Sequence, residues 1–211
     1  MKEKIALKSA YPSDYPDLVI ECKVIPNDKI CEYLDTIPSD KKFYGYKSAP
    51  VLARVGNSGE VIKTTLTTIV DGKEYILSEE ENTVKERSIG KDYLGKDILQ
   101  TDIVVTNNQS TSNEQYVIKA QKFYTTYKSI GYKKDSDLVI YMPQYDSRLL
   151  TQVDENVIIM TSWGAPAVCL TGSYIVTYDA ETNDYNTIEC GAFESTYTTE
   201  EQKTKIMLKR N

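Results

Sequence analysis

The chain has 211 residues, a formal net charge of −6, 27% charged and 40% hydrophobic residues, and no histidine. Acids and bases are interleaved, which excludes the continuous positive face that displaces counterions from nucleic acid, and no apolar run reaches the roughly 18–20 residues that span a bilayer. The missing imidazole removes the commonest general base, the usual activator of serine and cysteine, and the ligand of most zinc and iron sites.

Residues 18–25 read as a strand, approached by a turn-rich segment in which Pro12 and Pro16 hold their preceding residues extended. Asn27 is the expected N-cap of a short helix over 28–35, whose Ile30, Tyr33, Leu34 and Ile37 share one face before Pro38. Strands are expected from Lys42 on: 51–55, a turn at 56–59, then 61–70 and 73–77 around Asp71-Gly72. That dipeptide between β-rich runs signals a type I′ hairpin, because both central residues need positive φ. Glu79-Glu80-Glu81 reads as a loop or strand end, and 128–136 as a turn-rich boundary. Further strands are expected at 138–142, 149–153 and 157–161, whose runs without polar alternation suit strands buried on both faces or strands at the join between modules. A kinked connection follows at 162–166, then a hairpin opening with Tyr174–Tyr178 and turning through 179–184. Residues 200–208 fit either a helical turn or a strand.

One pattern occurs twice. The run at 102–106, a polar turn, a second run and Phe123-x-x-x-Tyr127 return as 173–177, a turn, a run and Phe193-x-x-x-Tyr197. The first strand recurs at an offset of 71 (102 to 173) and the aromatic end at 70 (123 to 193), so one residue is lost in the turn. Repetition of this kind predicts two related β-rich modules: an N-terminal strand and helix segment over 1–36, a first module over 37–127 and a second over 128–211. The expected fold is mainly β, a β-rich α+β chain of two small curved-sheet or partial-barrel modules in tandem with one short N-terminal helix.

The second copy, Thr171-Gly172-Ser173-Tyr174-Ile175-Val176 with its ending Phe193-Glu194-Ser195-Thr196-Tyr197, resembles small phage and prophage proteins with a proline-glycine-aspartate-tyrosine (PGDY-type) motif. In that family a P-G-D-Y-[IL]-[IV] strand is followed by a return strand and an F-E-x-T-Y ending. Thr171 and Ser173 stand where the family has Pro and Asp, and the first copy, ending Phe123-Tyr124-Thr125-Thr126-Tyr127, is more divergent. Lys42-Phe43-Tyr44-Gly45-Tyr46-Lys47 is similar to the family's basic-aromatic opening. The resemblance covers about half of the chain; it implies a phage- or bacterium-related origin and a compact β-rich module, and carries over no catalytic residue.

The 17 tyrosines suit β cores, ligand walls and interfaces alike. The candidate ligand-binding residues are Trp163, Tyr174, Tyr178 and Tyr185, four rings around one bend that Gly164 and Pro166 shape without filling. The carboxylate pairs Asp14/Asp17, Asp135/Asp137 and Asp154/Glu155 read as turn residues, and Cys169 and Cys190 as small hydrophobes. Lys41-Lys42, Lys133-Lys134 and the basic residues among Lys203, Lys205, Lys209 and Arg210 read as solvated surface, and Asn108-Gln109-Ser110 as a chance glycosylation match. The four cysteines lack CxxC spacing and residues 1–8 lack the apolar core of a signal peptide, so a cytoplasmic chain with reduced thiols is expected. With no Gly-rich phosphate loop or nucleophile elbow, no catalytic residue, metal or cofactor is expected, nor a nucleic-acid or membrane partner. The expected function is a non-enzymatic module binding a small molecule or a protein, of phage accessory or sequestering type. A structural protein self-associating as a homo-oligomer is the alternative, and a histidine-independent hydrolase or transferase ranks last.

Overall fold

The computed structural model describes residues 1–107, 114–134, 136–144, 147–161, 164–181, 183–199 and 201–202. The chain is mainly β, and one of its sheets curls as a half-barrel. The elements before the first copy are β1 (Lys2–Ser9), β2 (Leu18–Val24) and α1 (Ile30–Thr36). There follow β3 (Lys42–Lys47), β4 (Val51–Val55), β5 (Val61–Val70), β6 (Lys73–Thr83), β7 (Glu86–Lys91) and β8 (Asp97–Thr101). Next come β9 (Ile103–Asn107), β10 (Glu114–Ile118), α2 (Ala120–Thr126) and β11 (Tyr127–Tyr132). The rest comprises β12 (Val139–Pro143), β13 (Arg148–Gln152), β14 (Val157–Met160), β15 (Pro166–Cys169), β16 (Tyr174–Asp179), β17 (Asp184–Ile188), α3 (Cys190–Thr196) and β18 (Tyr197–Thr199).

Local chemistry explains most of these boundaries. Asp71 (φ 50°) and Gly72 (φ 73°) both take positive φ and close the β5–β6 hairpin. Ile30, Tyr33 and Leu34 of α1 are buried, as is Ile37 behind it. Four expectations are corrected. Asn27 opens a 3₁₀ turn whose N-cap is Pro26, with no side-chain cap, so it does not start the helix. Glu79-Glu80-Glu81 lies inside β6, where Glu79 is paired with Lys63 at 3.0 Å and the row faces water. Residues 128–132 of the expected boundary at 128–136 belong to β11. The expectation of one N-terminal helix also missed α2 and α3; each has seven residues and buries only two, so no helical period builds up over a window long enough to read. The tail from Lys203 onward, Glu200 and Asn108-Gln109-Ser110 lie outside the described residues.

Two five-stranded antiparallel sheets share one strand order, β10-β9-β4-β12-β11 and β17-β16-β13-β3-β18. Their registers agree pair by pair. Thr106 lies opposite Leu52 as Thr177 lies opposite Leu149. Ile140 is opposite Leu52 as Tyr44 is opposite Leu149, and Tyr127 opposite Pro143 as Tyr197 opposite Lys47. Ile118 returns against Ile103 as Ile188 returns against Tyr174. The positions matched by the offsets 71 and 70 therefore hold the same places in the two sheets. Phe123 and Phe193 follow suit: each is buried on the helix after the hairpin, stacked on the tyrosine four residues on, at centroid distances of 4.8 and 5.7 Å.

The chain divides into two compact units, Met1–Lys47 with Thr67–Leu77 and Asp146–Asn211, and Ser48–Leu66 with Ser78–Tyr145. These units are discontinuous, where the sequence reading drew continuous modules with limits at 36/37 and 127/128. In the first unit, Ile175, Val153, Val157 and Tyr185 pack with α1, while Leu150, Tyr174, Val176 and Phe193 pack on the other face of the same sheet. In the second, Val51, Ala53, Val105 and Phe123 form the main cluster, and Ile62, Val84 and Val104 a smaller one.

A half-buried ion pair marks the second unit. Glu60 accepts from Arg54 through both oxygens and from Asn57 N at 3.0 Å. Arg54 foremost, and then the Asn57 amide, hold its carboxyl at about 2, well below the ordinary 4.5. A folded-state value below the unfolded one stabilises the fold above the unfolded pKa, and that stability is lost as pH falls toward 2. Glu60→Gln is therefore expected to flatten the fall of urea-unfolding stability between pH 5 and 2, relative to the parent; an unchanged slope would remove this pair from the acid response.

Candidate functional site

The structure separates the residues that the sequence grouped. Tyr174 is buried against Phe43 and Phe193, at centroid distances of 5.7 and 4.3 Å. Tyr185, fully buried, pairs with Thr177 across the hairpin and so points to the opposite face, among Ile30, Leu34 and Ile175. Its hydroxyl meets Cys31 Sγ at 2.8 Å beneath α1. Tyr178 is exposed at the end of β16, with the Arg148 guanidinium carbon 5.6 Å from its ring. Trp163 lies outside the described residues; beside it, Gly164 takes φ 84° and Pro166 opens β15. Tyr174 and Tyr185 thus serve two different cores.

The ionisable groups are tied into structure. Burial pushes the Tyr174 and Tyr185 phenols and the Cys22, Cys169 and Cys190 thiols above their ordinary values, which keeps them protonated. Asp17 accepts from Ser9 N at 2.9 Å and Asp14 from Ser13 Oγ at 3.0 Å. Asp154 is bound by Lys41 and Glu155 by Lys23. Asp135 lies outside the described residues, which leaves Asp137 without its expected partner in view. Among the described residues no three His, Cys, Asp or Glu side chains gather as metal ligands, and no helix is long and apolar enough to cross a membrane.

Two small depressions lie on the described surface. One depression of about 190 Å³ lies between Val24–Asn27 and Ile158–Met160 in the first unit. Another of about 120 Å³ is bordered by Arg54, Tyr124, Asp137 and Tyr141 in the second. Both fall below the roughly 300–1,000 Å³ that encloses a drug-sized ligand.

The conspicuous surface feature is one that sequence reasoning passed over. Among the described residues β7 and β8 pair with each other alone, as a separate two-stranded sheet. Ile89, Ile98 and Leu99 are exposed along it, and at the tip Tyr93 is 94% and Leu94 74% exposed. The base is fixed firmly. Asp102, almost fully buried, accepts from Lys85 N at 3.2 Å and from Arg87 Nε and Nη2 at 2.9 and 3.2 Å, while its own backbone accepts from Gly56 N. At the tip, Asp92 Oδ1 accepts from Leu94 N and Lys96 N, and Gly95 supplies the positive φ of 77° that the turn needs. Asp97 accepts from Ser88 Oγ at 3.1 Å. The tip acids thus bind the hairpin itself, and Lys91 and Lys96 are the exposed cations beside the apolar side chains. The available signal was a turn, Asp92-Tyr93-Leu94-Gly95, between runs holding Ile89 and Ile98-Leu99.

Compared with family models, curated proteins and solved structures, the chain matches none.

Proposed function

We propose that the chain is a non-enzymatic protein-binding module that engages its partner through the β7–β8 hairpin. One observation carries this: five large apolar side chains, Ile89, Tyr93, Leu94, Ile98 and Leu99, stand exposed on a hairpin rooted by an ion pair whose carboxylate, Asp102, is buried. Exposed apolar groups gathered on both faces and the tip of one hairpin mark it as a candidate interaction element. Lys91 and Lys96 beside those side chains suit an apolar groove with an acidic rim. The two depressions are small for a ligand, which favours the protein over the small-molecule partner. With the phage resemblance of the repeat, the reading becomes an accessory protein that sequesters a bacterial protein in the cytoplasm.

The intact chain and a Leu94→Ser/Ile98→Ser variant, used as baits on a bacterial lysate, test this. Exposed substitutions of this kind cost within about 0.5 kcal/mol, so the two should melt alike. A protein held at fixed stoichiometry by the parent and lost from the equally stable variant is the expected outcome. Identical retained sets would overturn it. So would a parent that is dimeric by light scattering while the variant is monomeric, which would assign the hairpin to a second copy.

A further inference from the structure

We infer that the chain is two copies of one strand-exchanging unit joined end to end, each copy lending its opening strand to complete the other's sheet. In chain order the first copy runs β3, β4, β9, β10, α2, β11, and the second β12, β13, β16, β17, α3, β18. Yet β3 lies between β13 and β18, and β12 lies between β4 and β11. The exchange is reciprocal and keeps the same register on both sides of both strands. It also accounts for two of the limits between the units, Lys47/Ser48 and Tyr145/Asp146, which fall just after the two exchanged strands.

The link between β3 and β4 explains why the strand leaves its own copy. Only Ser48, Ala49 and Pro50 separate two antiparallel-competent strands, a length that ordinarily closes a hairpin. Pro50 disfavours the helical region for Ala49 and holds it extended, which works against a tight turn. Ala49 is buried, so the link is held rather than loose. The contacts made by an exchanged strand equal those of a returned one, and the hinge alone decides between them. The parts that differ between copies sit outside this frame: β5–β8 are inserted after β4, and only β14 and β15 after β13. The docking hairpin is thus a feature of the first copy alone, and this inference stands whether or not that hairpin binds a partner.

Each copy alone lacks one of its five strands, so its natural partner is a second copy. The test uses the whole chain, with a site-specific protease sequence inserted after Lys134, between the copies. After folding and cleavage the halves are expected to co-elute at the size of the intact chain and to part only in denaturant. Tyr44→Cys/Leu149→Cys places thiols on directly opposed residues of β3 and β13, at a spacing a disulfide can bridge. Oxidised and cut, this variant should run as one band that reductant splits, while the cleaved parent with its native cysteines gives two. A returned β3 would instead set Tyr44 against Leu52, as Ile140 is now. Bridging by Tyr44→Cys/Leu52→Cys and not by the first pair, or halves that elute apart in native buffer, would overturn the inference.

Discussion

Phe123→Ala is expected to lower unfolding free energy by about 3–5 kcal/mol, the range for truncating a buried aromatic ring and leaving a cavity. Phe123 is fully buried. Its ring stacks on Tyr127 at 4.8 Å and 18° and meets Tyr141 edge-on at 4.7 Å. Both partners are tyrosines held in strands β11 and β12, so neither can collapse into the void without breaking sheet pairing. Phe193→Ala should lie at the lower end of the range, because Phe193 keeps 9% of its surface exposed and its partner Tyr197 begins the short strand β18. Urea midpoints with unchanged m-values measure both. A loss under about 1 kcal/mol at Phe123 would mean that the ring is not central to that core.

Asp102→Ala is expected to cost about 3 kcal/mol and to loosen the hairpin base. Removing one member of a buried, hydrogen-bonded ion pair typically costs about 3–5 kcal/mol. The lower figure applies because the Arg87 side chain is 40% exposed and can turn to water, while the Lys85 amide is left unsatisfied. Arg87→Leu leaves the carboxylate buried with only a backbone donor and should cost at least as much. Denaturant unfolding of the two variants and their double mutant gives the coupling; additive losses would show that the pair contributes nothing of its own.

Much of the fold was legible because it rests on short-range chemistry. Asp71-Gly72 fixes its turn by φ alone, and Ile30, Tyr33, Leu34 and Ile37 mark the buried side of α1 by spacing. The repeat was legible because identical register demands similar residues at 103–106 and 174–177, and the same ring at 123 and 193. The exchange of β3 and β12 was not: a strand of either copy fits either of two equivalent sheets, and nothing in its own sequence names the one it joins. Two rings of the expected aromatic pocket, Tyr174 and Tyr185, lie on opposite faces because of register. Alternation puts Tyr174 and its strand mates on known sides, but the side of Tyr185 depends on its pairing with Thr177, a cross-strand fact. The hairpin at 86–101 escaped notice because its charged residues outnumber its apolar ones, and an exposed apolar row leaves no buried period to read.

The claim that β7–β8 stands ready for a partner is tested most directly by amide hydrogen exchange on the free chain. A two-stranded hairpin with no core of its own is marginally stable, so amides from Ser88 to Leu99 should exchange by local opening, orders of magnitude faster than those of β4 and β9. Lys85 and Asp102, tied at the base, should stay slow. Protection of Ile89, Ile98 and Leu99 equal to that of Val104 and Val105 would show a hairpin already packed, and would contradict its assignment as the docking element.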